Sequence, residues 1–215
     1  MSAVRPEFGP TLPELLAPRL RRLPRVARLA LAALLLLVVL GLATVLLGGG
    51  SSSDLRGIVV REPIAVNFVY RAPFHKRAPG RGELAKVTAA NGQTFAVREL
   101  RVAPYKGDAA GMLPVLASQL ETKMERELPG FQWRSDGRTN VNRNQGYEIL
   151  FQYRPNGKLT YGRRILLLPT VTATQGVDLL LTSPRMNSVI RYDAIGRNGG
   201  LKTLLRSFRF GTQRP

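Results

Sequence analysis

Hydrophobic residues follow three different rhythms along this chain, and each predicts a different kind of element. From Leu29 to Leu47 the apolar run is unbroken: nineteen residues carry no charge, and Thr44 is their only polar side chain. At roughly 1.5 Å of rise per residue such a helix reaches about 28 Å, close to the roughly 30 Å hydrocarbon core of a bilayer. The pattern predicts a transmembrane helix over residues 29–47. It is followed by Gly48-Gly-Gly-Ser-Ser-Ser53, a composition that ends helices and makes flexible spacers, so residues 48–57 are assigned to a linker.

Beyond the linker the rhythm shortens toward a period of two. Ile58 to Val60 and Ala65 to Tyr70 predict short strands, and a Pro- and Gly-rich segment, Ala72 to Gly82, follows them. Glu83 to Ala90 and Gln93 to Val102 flank Asn91-Gly92, a dipeptide that predicts a hairpin with a type I′ turn. Phe95 and Val97 alternate in one phase, and Leu100 and Val102 in the other, which predicts a bulge near Arg98-Glu99. Tyr147, Ile149, Phe151 and Tyr153 mark one face of a further strand. Pro155-Asn156-Gly157-Lys158 turns the chain into a strand over Leu159 to Leu168, and the consecutive Leu179, Leu180 and Leu181 predict a strand buried on both faces.

Steps of three and four appear twice. Leu113, Leu116, Leu120, Met124 and Leu128 form one helical stripe, with Asp108 as candidate N-cap and Pro129-Gly130 as the stop. Leu201, Leu204 and Leu205 belong to a second helix near Gly200 to Ser207. The polar stretch from Phe131-Gln-Trp133 to Asn144 reads as a turn region, and Arg185 to Asn198 gives only a weak signal. Strands, helix, strands, helix in this order predict an α+β domain over residues 58–211, an antiparallel sheet flanked by helices as an α/β/α sandwich after the N-terminal transmembrane helix.

Charge gives the apolar run a direction. Residues 1–28 hold Arg19, Arg21, Arg22, Arg25 and Arg28 just before it and are broken by prolines, which makes a basic head. Arg56 is the basic residue that soon follows on the other side. The positive-inside rule then places the N-terminus in the cytoplasm and the C-terminal domain outside a cell membrane crossed once, with the lipid bilayer as a partner. A secretory signal peptide is the competing reading, and the small residues of Gly48 to Ser53 would suit cleavage, but its apolar core is usually shorter, about 7 to 15 residues. The chain has no cysteine, which excludes disulfides, thiol catalysis and lipidation at a cysteine.

The order of early extended segments, a central helix at Leu113 to Leu128, a Gly146 to Tyr153 strand, an Arg-bearing strand at Tyr161 to Leu168 and a terminal helix running into Leu205-Arg-Ser-Phe-Arg-Phe210 resembles the Mog1/PsbP-like family, in particular its actinobacterial envelope members. The resemblance covers about residues 58–211. It implies an α/β/α sandwich used for binding or assembly and not for catalysis, and it carries no metal or partner-contact residue onto this chain. The lipidated cysteine of secreted relatives is missing, a role the apolar helix would take over.

Chemistry-bearing residues are sparse. His75, the single histidine, stands among cations in Pro73-Phe-His-Lys-Arg77 and reads as a loop or surface residue. Glu121 and Glu125 lie one helical turn apart amid Lys123, Arg126 and Glu127, a pattern that reads as a solvated face. Gly196-Arg-Asn-Gly-Gly-Leu-Lys-Thr203 departs from the Walker spacing, because Leu201 separates the glycines from Lys202. No catalytic, cofactor-binding or metal set is expected.

The net charge of +18 comes from 26 Arg and six Lys against 14 acids. The head accounts for +4 of it, six arginines less Glu7 and Glu14, which leaves +14 beyond Ser53. Arg134, Arg138, Arg143, Arg154, Arg163 and Arg164, interleaved with Trp133, Tyr147, Tyr153 and Tyr161, are a candidate polyanion-binding face. The expected function is a non-enzymatic, membrane-tethered extracytoplasmic domain that binds an envelope protein or other envelope component. The alternatives are a basic domain for anionic envelope polymer, lipid headgroups or nucleic acid, and a hydrolase with an unrecognised site.

Overall fold

The computed structural model describes Pro24, residues 55–103 and residues 108–213. The expected transmembrane helix over 29–47 lies outside the described residues, and among the described residues no helix is long and apolar enough to cross a membrane.

The domain contains β1 (Arg56–Val60), β2 (Val66–Tyr70), β3 (Phe74–Arg77), β4 (Glu83–Ala89), β5 (Thr94–Arg101), α1 (Leu113–Glu127), β6 (Gln132–Val141), β7 (Asn144–Tyr153), β8 (Thr160–Leu167), β9 (Gln175–Pro184), α2 (Gly199–Ser207) and β10 (Arg209–Phe210). Seven of the strands form one antiparallel sheet in the order β3-β4-β5-β9-β8-β7-β6. The other three form a small antiparallel sheet, β1-β2-β10.

The large sheet is covered on both faces. Under α1 lie Leu100, Ile149, Phe151 and Leu166, packed against Leu113, Ala117 and Met124 of the helix. On the opposite face Phe95, Val97, Ile165, Leu167, Leu179 and Leu181 pack with Val66 and Phe68 of the small sheet and with Leu201, Leu204 and Phe208. The domain is therefore α+β and layered as expected, with the small sheet as an added part of the second outer layer. Two-sided coverage explains why every residue of β8 is buried and why three leucines follow one another in β9.

It also corrects the reading of β5. Its pairing with β9 runs unbroken from Thr94 opposite Thr182 to Arg101 opposite Gln175. The phase change between Phe95/Val97 and Leu100/Val102 reflects two cores, one on each face, and needs no bulge at Arg98-Glu99. The register shift lies on the partner strand, between Glu83 and Ala85.

The two-residue turn expected at Asn91-Gly92 is found at another hairpin. The β4–β5 loop is a three-residue turn: Gly92 N–H bonds to Ala89 O at 3.0 Å, Ala89 N–H bonds to Gln93 O at 2.9 Å, and Gly92 alone takes positive φ, at 85°. The two-residue turn with positive φ at both positions is Asn142-Arg143, at 51° and 73°, between β6 and β7. That hairpin lies where the sequence predicts a turn region, because β6 has no apolar alternation: it is a ten-residue polar edge strand paired along β7. The Ala72 to Gly82 segment likewise hides the other edge strand, β3.

Helix α1 follows the expected stripe and start signal. Asp108 Oδ1 accepts the Ala110 N–H at 2.8 Å, capping a short 3-10 turn, Ala109–Met112, that leads into the helix. Leu116, Leu120 and Leu128 are partly buried against the same core.

Candidate functional site

The six arginines of the expected polyanion face do not share one surface. Arg163 and Arg164 are consecutive in a strand and must point to opposite faces of the sheet. Both are buried and neutralised, which corrects their placement on an exposed basic face. Arg163 Nε donates to Glu148 Oε2 at 2.8 Å, and its Nη1 donates to Ile195 O at 3.2 Å on the α2 side. Arg164 Nε lies 2.9 and 3.0 Å from the two oxygens of Asp178 on the α1 side.

The other four are exposed but dispersed. Arg134 sits at a bulge near the start of β6, with Nη2 donating to Gln132 Oε1 at 2.8 Å. Arg138 faces α1, opposite Tyr147. Arg143 is at the hairpin tip, and Arg154 follows the far end of β7, beside Gly130. At about 3.3 Å per residue, β7 separates Arg143 from Arg154 by about 35 Å. Sequence spacing reveals the arginines but not the strand register that scatters them.

Along the α1 side of the β6 edge stands a polar cluster made by three elements. The Tyr147 hydroxyl on β7 donates to Asp136 on β6, and this hydrogen bond, then burial and the nearby carboxylate charges, push the tyrosine up to about 12. It stays protonated, as a donor and not a base. Glu121 of α1, read from sequence as solvated, is half-buried with Oε1 lacking a hydrogen-bond partner. Burial first, and the charge of Asp136 second, raise its carboxyl above the ordinary value, with the Trp133 indole pulling the other way. Next to the cluster is a cleft of about 280 Å³ lined among others by Asp108, Pro114, Arg138, Gln145 and Tyr147. Trp133 stands half exposed on the same edge, at 50%. Among the described residues no group of three or more His, Cys, Asp or Glu is placed to hold a metal ion.

A further concavity is basic. A cleft of about 250 Å³ opens between α2 and the β6–β7 hairpin, lined by Asn140, Val141, Asn142, Arg163, Gly196, Arg197, Lys202, Leu205 and Arg206. Asn142 ties its two walls together: Nδ2 donates to Leu205 O at 3.1 Å and to Phe208 O at 2.7 Å, satisfying carbonyls at the end of α2. Arg143 and Arg209 border a second depression that shares Asn142. Sequence reasoning treated Arg197 and Lys202 as turn and helix residues and passed over Arg206 and Arg209. The available signal was Lys202 and Arg206 at i and i+4, one turn apart on one helix face.

His75 is exposed on edge strand β3, not in a loop. Glu125 is exposed on α1. Gly196 to Thr203 spans the turn before α2 and its first turns, with Gly196 and Gly199 at positive φ.

No family model and no curated protein matches the chain. Solved structures do. LpqN, involved in cell envelope biogenesis of Mycobacterium tuberculosis, aligns over 74% of this chain and 93% of its own at 13% identity, with a TM-score of 0.50. Cyanobacterial PsbP from Synechocystis aligns over the same shares at 9% identity and a TM-score of 0.50. The Ran-binding protein Mog1p of Saccharomyces cerevisiae aligns over 74% of this chain and 96% of its own at 9% identity and a TM-score of 0.49.

Proposed function

Because the domain has the Mog1/PsbP-like fold, we propose that this chain is a single-pass, membrane-tethered extracytoplasmic module of the bacterial cell envelope that works by binding or assembly and not by catalysis. The observation that carries the reading is the fold itself, which one envelope-biogenesis protein shares over nearly its whole length. The basic head, apolar run and Gly/Ser linker support the tether from the sequence side. The docking surface for an envelope component is the β6 edge. It presents unpaired strand backbone, the exposed Trp133, and Arg134 and Arg138, the residue types that anchor interfaces.

A topology reporter tests this. Alkaline phosphatase, active only outside the cytoplasm, is fused after Pro215 of the full chain, and the expected outcome is activity that stays in the membrane fraction after carbonate extraction. A fusion made in full length but without phosphatase activity, or one whose activity is released into the medium, overturns the tether.

A further inference from the structure

We infer that the basic cleft between α2 and the β6–β7 hairpin is a binding site for a phosphate-bearing group. This goes beyond the reading above and does not depend on the tether, because it names a ligand for a concavity on the α2 side at the hairpin end of β6, apart from Trp133, Arg134 and Arg138.

The first ground is uncompensated charge that converges on a cavity. Arg197, Lys202 and Arg206 all line the cleft, and none of them forms an ion pair among the described residues. Other exposed cations, Arg71, Arg81 and Arg185 among them, also form no ion pair among the described residues, so what sets these three apart is their convergence on one cleft. Lys202 and Arg206 stand one helical turn apart, a like-charge pair that opposes the helix unless an anion lies between them. Among the described residues no carboxylate lines the cleft, and Glu148 beside its floor is already taken by Arg163.

The second ground is that the cleft is built from fixed parts. Its floor includes Arg163, 7% exposed and held by Glu148 and by Ile195 O. Gly196 brings the backbone over that guanidinium with φ at 73°, and a Cβ there would lie 3.3 Å from Arg163 Nη1. Asn142 locks the hairpin wall to the helix wall through Leu205 and Phe208. Walls held in this way need no ordering when an anion binds, which leaves only the exposed Arg197 and Arg206 and the partly buried Lys202 to be ordered. Guanidinium forks and an ammonium together match the tetrahedral oxygens of a phosphate, and Arg143 and Arg209 in the adjoining depression extend the field for a second anionic group.

The test is calorimetric titration of the full chain in a non-ionic detergent. The probes are inorganic pyrophosphate and a short-chain phosphatidylglycerol, with a short-chain diacylglycerol as the phosphate-free control. Two variants are compared with the parent: R197Q/K202Q/R206Q, and R71Q/R81Q/R185Q, which removes the same charge from exposed positions outside the cleft. The expected result is saturable binding of a phosphate probe, weakened tenfold or more in the cleft variant and less than twofold in the matched one. Amide shifts centred on residues 140–142, 163 and 196–206 should accompany binding in the parent chain, and cooperative melting of both variants should show that they fold. Binding of pyrophosphate assigns the site to soluble phosphates, and binding of phosphatidylglycerol alone assigns it to lipid headgroups. Binding of neither phosphate probe, equal loss in both variants, or diacylglycerol binding as tight as phosphatidylglycerol overturns the inference.

Discussion

Arg164 reaches diagonally across from β8 to β9 to grip Asp178, its Nε lying 2.9 and 3.0 Å from the two carboxylate oxygens beneath α1. Both residues are buried, at 9% and 4% exposure. Removing one partner leaves a desolvated charge, so Asp178→Ala should cost about 3 to 5 kcal/mol in urea unfolding. Replacing the pair together, as R164M/D178L, should restore stability to near the parent value or above it, because a buried ion pair is often worth no more than a well-packed apolar pair. A double variant as unstable as the single one would show that the pair itself, and not relief of an orphaned charge, holds the sheet.

Glu121 sets a pH dependence of known sign. Its carboxyl is raised in the fold, by burial and then by Asp136, so between 4.5 and the raised value the native state binds more protons than the unfolded chain. Stability therefore falls as pH rises through that window, and the full penalty is present above it. Glu121→Gln should be more stable than the parent at neutral pH, by about 0.5 kcal/mol given solvent screening, with the gain gone below about pH 4. Urea titrations at both pH values check this. Glu83 has the opposite sign: burial would raise it, but the Gly80 amide, Lys86 and Arg98 outweigh that and hold it lowered. Its contribution is present above the unfolded value and lost as pH falls through the folded one.

Gly196 should tolerate no side chain. Gly196→Ala puts a Cβ 3.0 Å from Leu181 and 3.2 Å from Leu205 at a φ of 73°. Gly82 has nearly the same φ, 75°, with nothing within 4 Å. Gly82→Ala should cost only the left-handed strain, about 1 to 2 kcal/mol, while Gly196→Ala should add about 1 to 3 kcal/mol of overpacking. Thermal melts of the two variants side by side separate the contributions.

Asn142 serves as both turn residue and helix cap. Asn142→Gly keeps the positive φ of the hairpin but loses the bonds to Leu205 O and Phe208 O, at about 1 kcal/mol each. The expected outcome is about 1 to 2 kcal/mol of destabilisation with faster amide exchange at the end of α2, while the β6–β7 pairing stays protected.

How far each element could be read from the chain follows from where its information lies. The alternation of Tyr147, Ile149, Phe151 and Tyr153, the leucines at 179–181 and the stripe from Leu113 to Leu128 are local periods, and a residue's phase along its own element determines which way it faces. Those signals determined β7, β9, α1 and α2, and the order of elements pointed to the α+β layering. Strand β6 carries no such period, because an edge strand is held by backbone pairing to its neighbour, and only the assembled sheet decided that it exists. The same holds for charge. Composition determined that the domain is basic, but Arg163 and Arg164 were withdrawn into opposite cores by Glu148 and Asp178. Arg197, Lys202 and Arg206 were gathered into one cleft by a turn, a helix and the Asn142 bridge. Pairing between groups distant in sequence depends on register and on which face is covered, and those are properties of the tertiary structure alone.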